Sequence, residues 1–228
     1  MATLILRLAA PLQSWGADSK FEVRKTNREP TKSGVIGLLA AALGIRRDDD
    51  QALLRLNGLR YGVRTDQEGQ FLVDLHTARK DAKTSYLTRR YYLSDAIFLV
   101  GLESEDRAFL QELEDALRSP AFPLYLGRRS CPPTQPLCLG IREMDLFTAL
   151  RMEPYMGSCW RRKKLRKLSI RIDVNPQEVG STVQQDVAIS WNPIHRQYGY
   201  RAIREVLVDL PGAVEEMGTE HDPFTELR

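Results

Sequence analysis

The sequence predicts an α+β fold, and three observations carry that prediction. A compact apolar segment at residues 3–8 opens the chain as a buried strand. An Ala- and Leu-rich block at 35–45 follows, where those residue types favour helix over strand. The same order returns later: residues 94–102, SDAIFLVGL, are a strand, and 105–117 set Phe109, Leu110, Leu113, Ala116 and Leu117 at helical spacing.

Each element follows in turn. The first strand ends at Pro11, and residues 13–30 are polar and irregular, with Trp15-Gly16 and the basic cluster Arg24-Lys25-Thr26-Asn27-Arg28. Thr31 or Ser33 is suited to cap the first helix, and Asp48 opens a second, short one ending near Leu56. Residues 59–65 and 70–76 are two strands around the turn signal Asp66-Gln67-Glu68-Gly69. Residues 77–93 are polar and basic, an insertion threaded between two strands that projects as a hairpin. Five prolines make 120–136 a loop, and 137–141 a closing strand. The sum is the βαββαβ pattern of a ferredoxin-like domain over residues 1–150, with a basic insertion. Residues 168–174, 187–190 and 202–208 are further strands, expected to form a second, smaller β-rich unit within 151–228.

The chain has 228 residues, 43% of them apolar, enough for a sizeable core. Its longest apolar run, near 34–45, is broken by Gly37 and Gly44 and falls short of the roughly 20 residues that span a bilayer. The N-terminus lacks the charged leader of a signal peptide, so a cytoplasmic protein is expected. Cys131, Cys138 and Cys159 are odd in number and include no CxxC pair, which argues for free thiols and against a zinc site.

Net charge is only +3, but it is segregated. The first 47 residues carry eight Lys/Arg against three Asp/Glu; 160–167, WRRKKLRK, contain no acid; 205–227 hold seven acids and no Lys or Arg. Such segregation suits one polyanion-facing surface, although charge runs also occur as solvated faces.

No Walker A loop, GxSxG elbow or HExxH helix is present. Asp48-Asp49-Asp50 suit a helix start and need no metal. The one acid–base candidate is His76 beside Lys80, Lys83 and Tyr86, as a metal-independent ribonuclease would use, against a plain strand-end histidine. No cofactor, metal or catalytic residue is expected. Three binding candidates remain. Arg24, Arg28 and Lys32 precede a helix start whose amides, with the Thr31 and Ser33 hydroxyls, make a phosphate seat; many such starts carry no phosphate. Tyr125, Gly127, Arg128 and Arg129 combine a stacking ring, a free backbone and planar charge, a set that grips single-stranded RNA; the alternative is a Pro-rich connector. The insertion carries Arg79, Lys80, Lys83, Arg89 and Arg90 against the single acid Asp81.

The opening LRLAAPLQSWG, the TKSGVIGLLAAALGI helix, the LHT at the base of the insertion and the PLYLGRRSCPPTQPL loop resemble the CasD (Cas-five) family of type I-E CRISPR Cascade subunits. The first three-fifths of the chain match in order and spacing, and DVAISWNP with RQYGYR is similar to a variant in some branches. The resemblance implies a ferredoxin-like, RRM-related RAMP-type domain with a β-hairpin thumb at about 77–92, shorter than in some relatives. It implies a cap on the 5′ handle of the CRISPR RNA, with the backbone subunit CasC and the large subunit CasA as neighbours. Target DNA is then met through the complex, where guide pairing reads sequence. Precursor cleavage would fall to another subunit, CasE; in type I-C systems the related subunit is itself the endoribonuclease, which stands as the alternative. Carried onto this chain, the handle contacts are Arg24, Arg28, Thr31, Lys32 and Ser33, the thumb's matched cation is Arg90, and the loop contacts are Tyr125, Arg128 and Arg129.

Overall fold

The computed structural model describes residues 1–16, 22–79, 81, 85–162, 165–191 and 196–210. In chain order the elements are β1 (Ala2–Ala9), β2 (Leu12–Gln13), β3 (Val23–Arg24), α1 (Lys32–Leu43), α2 (Asp50–Asn57), β4 (Arg60–Gln67), β5 (Gln70–Arg79) and β6 (Ser85–Ser94). There follow β7 (Ile97–Ser104), α3 (Arg107–Arg118), β8 (Cys138–Arg142), α4 (Leu146–Met152), α5 (Cys159–Arg162), β9 (Lys167–Asp173), β10 (Thr182–Ser190) and β11 (Gln197–Asp209). The molecule is an α+β protein of mainly antiparallel sheets with few helices.

Seven strands form the main sheet in the order β10-β11-β9-β4-β7-β1-β8. Period-two alternation explains why β1 is apolar on both sides. Leu4, Leu6 and Leu8 point to the face covered by α1 and α3, with Phe98, Val100 and Leu102 of β7 beside them. Ile5 and Leu99 point to the other face, where Leu146, Ala149 and Leu150 of α4 close a second core layer with Ile170 and Ile172. At Gly101 an added Cβ would come within 2.6 Å of Leu146 Cδ1, so a glycine there lets α4 lie close on the sheet.

Two expectations are corrected. The C-terminal strands do not build a second unit. They extend the main sheet, β9 pairing with β4, and β10 packs back on α1 and α2, burying Ala188 in the helix-side core. That cover explains why α1 has no polar face: its outer side meets protein instead of water. The second correction concerns residues 70–76. They do not pair with 59–65 across the 66–69 turn; β4 pairs with β7 and β9. Instead β5 pairs with β6 over its whole length, from Gln70↔Ser94 to Arg79↔Ser85, so the projecting hairpin is longer than the 77–92 expected. Phe71, Val73, Leu75 and Leu87 are exposed on it, so these apolar residues belong to a projection and not to the core. The hairpin roots in a small second sheet in which β6 is flanked by β2, antiparallel, and β3, parallel.

Candidate nucleic-acid interface

The start of α1 and the root of the hairpin were both cationic candidates, and the structure treats them differently. Thr31 caps α1, its hydroxyl accepting from the Gly34 amide at 3.2 Å, and is buried. The Lys32 amide donates to Asp186 Oδ2 at 2.9 Å, and the Lys32 ammonium, also buried, donates to Leu59 O at 2.8 Å and Asp173 Oδ2 at 3.0 Å. Arg201 grips Asp186 with two bonds of 2.6 and 2.9 Å, reaches Asp173 at 2.5 Å and lies over the Tyr61 ring at 4.9 Å. Burial alone would lower the Arg201 pKa; the Asp186 and Asp173 carboxylates outweigh it and hold it above the ordinary value. The positive helix start thus takes an anion, as such starts do, but the anion is the chain's own carboxylate. Thr31 and Lys32, expected as handle contacts, are buried here and spend their donors and charge on the chain's own atoms. The Ser33 hydroxyl lies 3.4 Å from Thr31 Oγ1, turned toward the same cap.

The hairpin root keeps its cations open. β3 runs parallel to β6 and sets Arg24 opposite Arg90. Arg128 lies over the Tyr92 ring at 4.5 Å and donates from Nη2 to Arg24 O at 3.0 Å. Arg128 Nη1 and Arg90 Nε are buried with no hydrogen-bond partner among the described residues. Buried donors without acceptors are uncommon and costly, and two of them on cations that share Arg24 as a neighbour suit an anionic acceptor. Arg24, Arg28, Arg89 and Arg129 stand exposed around them, Arg28 over the Phe71 ring at 5.0 Å. Arg79 is exposed near the hairpin tip, while Lys80 and Lys83 lie outside the described residues.

Three local devices hold this cluster. Trp15 is fully buried; its amide donates to Thr26 Oγ1 at 2.8 Å and its carbonyl accepts from the Asn27 amide at 2.9 Å, which pins the segment bearing Arg24 and Arg28. Gln13 ties that turn to the sheet, donating to Leu8 O and Ala96 O and accepting from the Trp15 indole N–H. The 125–131 loop is docked by the Ser14 amide on Leu126 O at 3.1 Å, with Leu126 fully buried. Gly127, at φ 85°, lies so close to Ser14 that a Cβ would fall 1.5 Å from its carbonyl oxygen. Its role is therefore this close approach, which places Arg128 on Tyr92. Tyr125 is half-buried in the same loop.

His76 is exposed on the hairpin, its Nδ1 3.7 Å from Asp74 Oδ2. Sequence reasoning missed Tyr92, Gln13 and Asp186. All three lie within or beside motifs it quoted, Asp186 opening DVAISWNP, but Asp186 is 154 residues from Lys32 and nothing local links the two.

A family model described as CRISPR-associated protein (Cas_Cas5) matches residues 3–204. The chain belongs to this family of CRISPR-associated proteins. Within it, the chain is similar to the protein described as CRISPR system Cascade subunit CasD of Escherichia coli (strain K12), 43% identical over 209 residues that cover 82% of this chain and 93% of that protein. Two solved structures are similar throughout. One, described as a CRISPR RNA-guided surveillance complex, matches with a TM-score of 0.76 and 32% identity over 92% of this chain and 91% of that one. The other, described as a Cas protein, matches with a TM-score of 0.70 and 39% identity over 92% of this chain and 97% of that one.

Proposed function

We propose that this chain caps the 5′ handle of a CRISPR RNA in a type I-E Cascade complex of the bacterial cytoplasm, as a structural and non-catalytic subunit. The observation that carries the reading is the pair of buried guanidinium donors of Arg90 and Arg128 at the hairpin root, without a partner among the described residues. The CasD-like sequence and the likeness to an RNA-guided complex support it. On this reading residues 1–150 are a ferredoxin-like RNA-binding domain: strand order β8-β1-β7-β4, with α1 and α3 on one face, suits that topology. The β5–β6 hairpin is the thumb, Tyr125, Arg128 and Arg129 meet the RNA beside it, and residues 151–228 extend the sheet. CasC and CasA are the expected neighbours, and target DNA is met through the complex.

The test is the amount of CRISPR RNA recovered per complex when the chain is co-expressed with the other subunits. Arg90→Ala and Arg128→Ala should each reduce it while subunit composition holds; full RNA occupancy in the double variant would overturn the assignment. The alternative, an endoribonuclease like the related type I-C subunit, has His76 as its acid–base candidate, exposed here with Nδ1 3.7 Å from Asp74 Oδ2. It requires the purified chain to cut repeat RNA without metal and His76→Ala to abolish that cutting.

A further inference from the structure

Trp160, Arg161, Arg166 and Lys167 lie outside the cluster just described. Trp160 is 61% exposed, whereas Trp15 is fully buried. An indole normally buries its large apolar face or covers a partner, so one left in water calls for a reason. The short α5 that carries it buries no side chain, so core packing does not supply that reason. Arg161 lies over the Trp160 ring at 4.9 Å, donates from Nη1 to Glu68 O at 3.2 Å, and has a buried Nε without a hydrogen-bond partner among the described residues.

The platform is fastened to the foot of the β5–β6 hairpin. Ser158 donates to Gln67 Oε1 twice, from its amide at 3.2 Å and its hydroxyl at 2.8 Å, and Gln67 Nε2 donates to Asp95 O at 2.5 Å. Gln67 and Asp95 flank the hairpin's two ends. Arg166 and Lys167 are exposed a few residues further on. An open aromatic plane beside cations, in a stretch without acids, is the chemistry that holds unpaired bases and their phosphates. A duplex hides the faces of its bases and cannot use the ring.

We infer that Trp160, Arg161, Arg166 and Lys167 form a second seat, for single-stranded nucleic acid, apart from the Arg24–Arg90–Arg128 cluster. A base lies on the free face of the indole and backbone phosphates meet the cations. The strand is either a further stretch of RNA or a DNA strand unpaired beside the complex.

The test uses the full chain, with fluorescent oligo-dT, oligo-U and a short duplex as probes, read by anisotropy across salt. Trp160→Ala should weaken single-strand binding about tenfold, and Trp160→Phe, which keeps a ring, by about twofold. Replacing Arg166 and Lys167 by Gln should lower the salt slope by about 1.4, at roughly 0.7 for each single-strand phosphate that is no longer neutralised. A larger Trp160→Ala loss for oligo-dT assigns the seat to DNA, and a larger loss for oligo-U assigns it to RNA. Retention of CRISPR RNA by the assembled complex should depend on Arg128 and remain in Trp160→Ala if the strand is DNA, which separates this seat from the proposed handle site. Unchanged single-strand affinity in Trp160→Ala would overturn the inference. So would tighter binding of the duplex than of either single strand, or loss of a protein subunit from Trp160→Ala complexes with oligonucleotide affinity intact.

Discussion

The start of α1 and the root of the hairpin have the same raw material and opposite fates. Both gather cations and hydrogen-bond donors, and both look like polyanion seats in the sequence. At α1 a carboxylate from β10 reaches the Lys32 amide, and Arg201 and Lys32 share Asp173. At the hairpin root Arg90 Nε and Arg128 Nη1 meet no acceptor among the described residues. The difference teaches that a cationic site is available to an outside ligand only where the chain has not supplied the anion itself. The first region is a joint between the C-terminal strands and the helix; the second is an opening.

The largest expected effect comes from breaking the joint. Arg201→Ala leaves Asp186 and Asp173, both largely buried, without their main cation, and removing one partner of a buried pair costs about 3–5 kcal/mol. Urea unfolding should show that loss. Lys32→Met should also destabilise, by less, because Asp173 keeps Arg201. Neither change should alter the salt dependence of RNA retention when measured where the variant is folded. A Lys32→Met chain of native stability that loses RNA would reverse the comparison and make the helix start the ligand site.

Opening and joint also differ in how Arg90 and Arg128 respond. Charge-assisted hydrogen bonds contribute roughly 1.5–3 kcal/mol, so each Ala substitution should weaken handle-RNA binding about tenfold to a hundredfold with the melting temperature near native. Removing both should cost less than the sum of the two losses if they grip one phosphate geometry. Additive losses would place them on separate contacts. Gly127→Ala gives a structural variant of the same experiment: the loop must undock from Ser14, so both stability and RNA binding should fall.

These expectations bear on what could be read in advance. The order of strands and helices was legible because both core strands are buried on two faces and α3 is strongly amphipathic. The basic hairpin and the Tyr125–Arg129 loop were legible as charge beside aromatic residues. At the Thr31–Lys32–Ser33 start the internal partners of Lys32 were not legible, because Asp173 and Asp186 lie far along the chain. Residues 70–76 were misplaced for a related reason. A strand pattern records alternation, and it does not say which strand will be the partner; here the long run of β6 pairs with β5 and carries it off the main sheet.

Tyr125 tests the opening from its aromatic side. Stacking of a base contributes roughly 1–3 kcal/mol, so Tyr125→Ala should reduce RNA recovered per complex while Tyr125→Phe stays close to native. If Phe fails as badly as Ala, the hydroxyl is what matters and the stacking role falls.

The smallest expected effect lies on the segment that connects the two regions. Glu29 follows Arg28 directly, yet its carboxylate does not neutralise the exposed cations. It turns toward β4 and β9, accepting from Thr65 Oγ1 at 3.2 Å and pairing with Arg171 at 3.0 Å. Burial raises its pKa above the ordinary 4.5, and the Arg171 charge only partly offsets this. The sign follows from proton linkage: the folded state holds the Glu29 proton more tightly than the unfolded chain does. The stabilising contribution of this group is therefore fully present below the unfolded pKa and is lost as pH rises through the raised folded value. Glu29→Gln should remove that decline, so the variant's stability relative to the parent should rise as pH climbs through the unperturbed glutamate value of about 4.3 and on through the raised folded one. Arg171 keeps Glu205 at 3.0 Å in the variant and is not left unpaired. Thermal melts of both proteins across that range decide the matter. A variant whose relative stability falls as pH rises would mean that the Arg171 pairing outweighs burial, and that Glu29 acts as a stabilising ion-pair partner like the acids at α1.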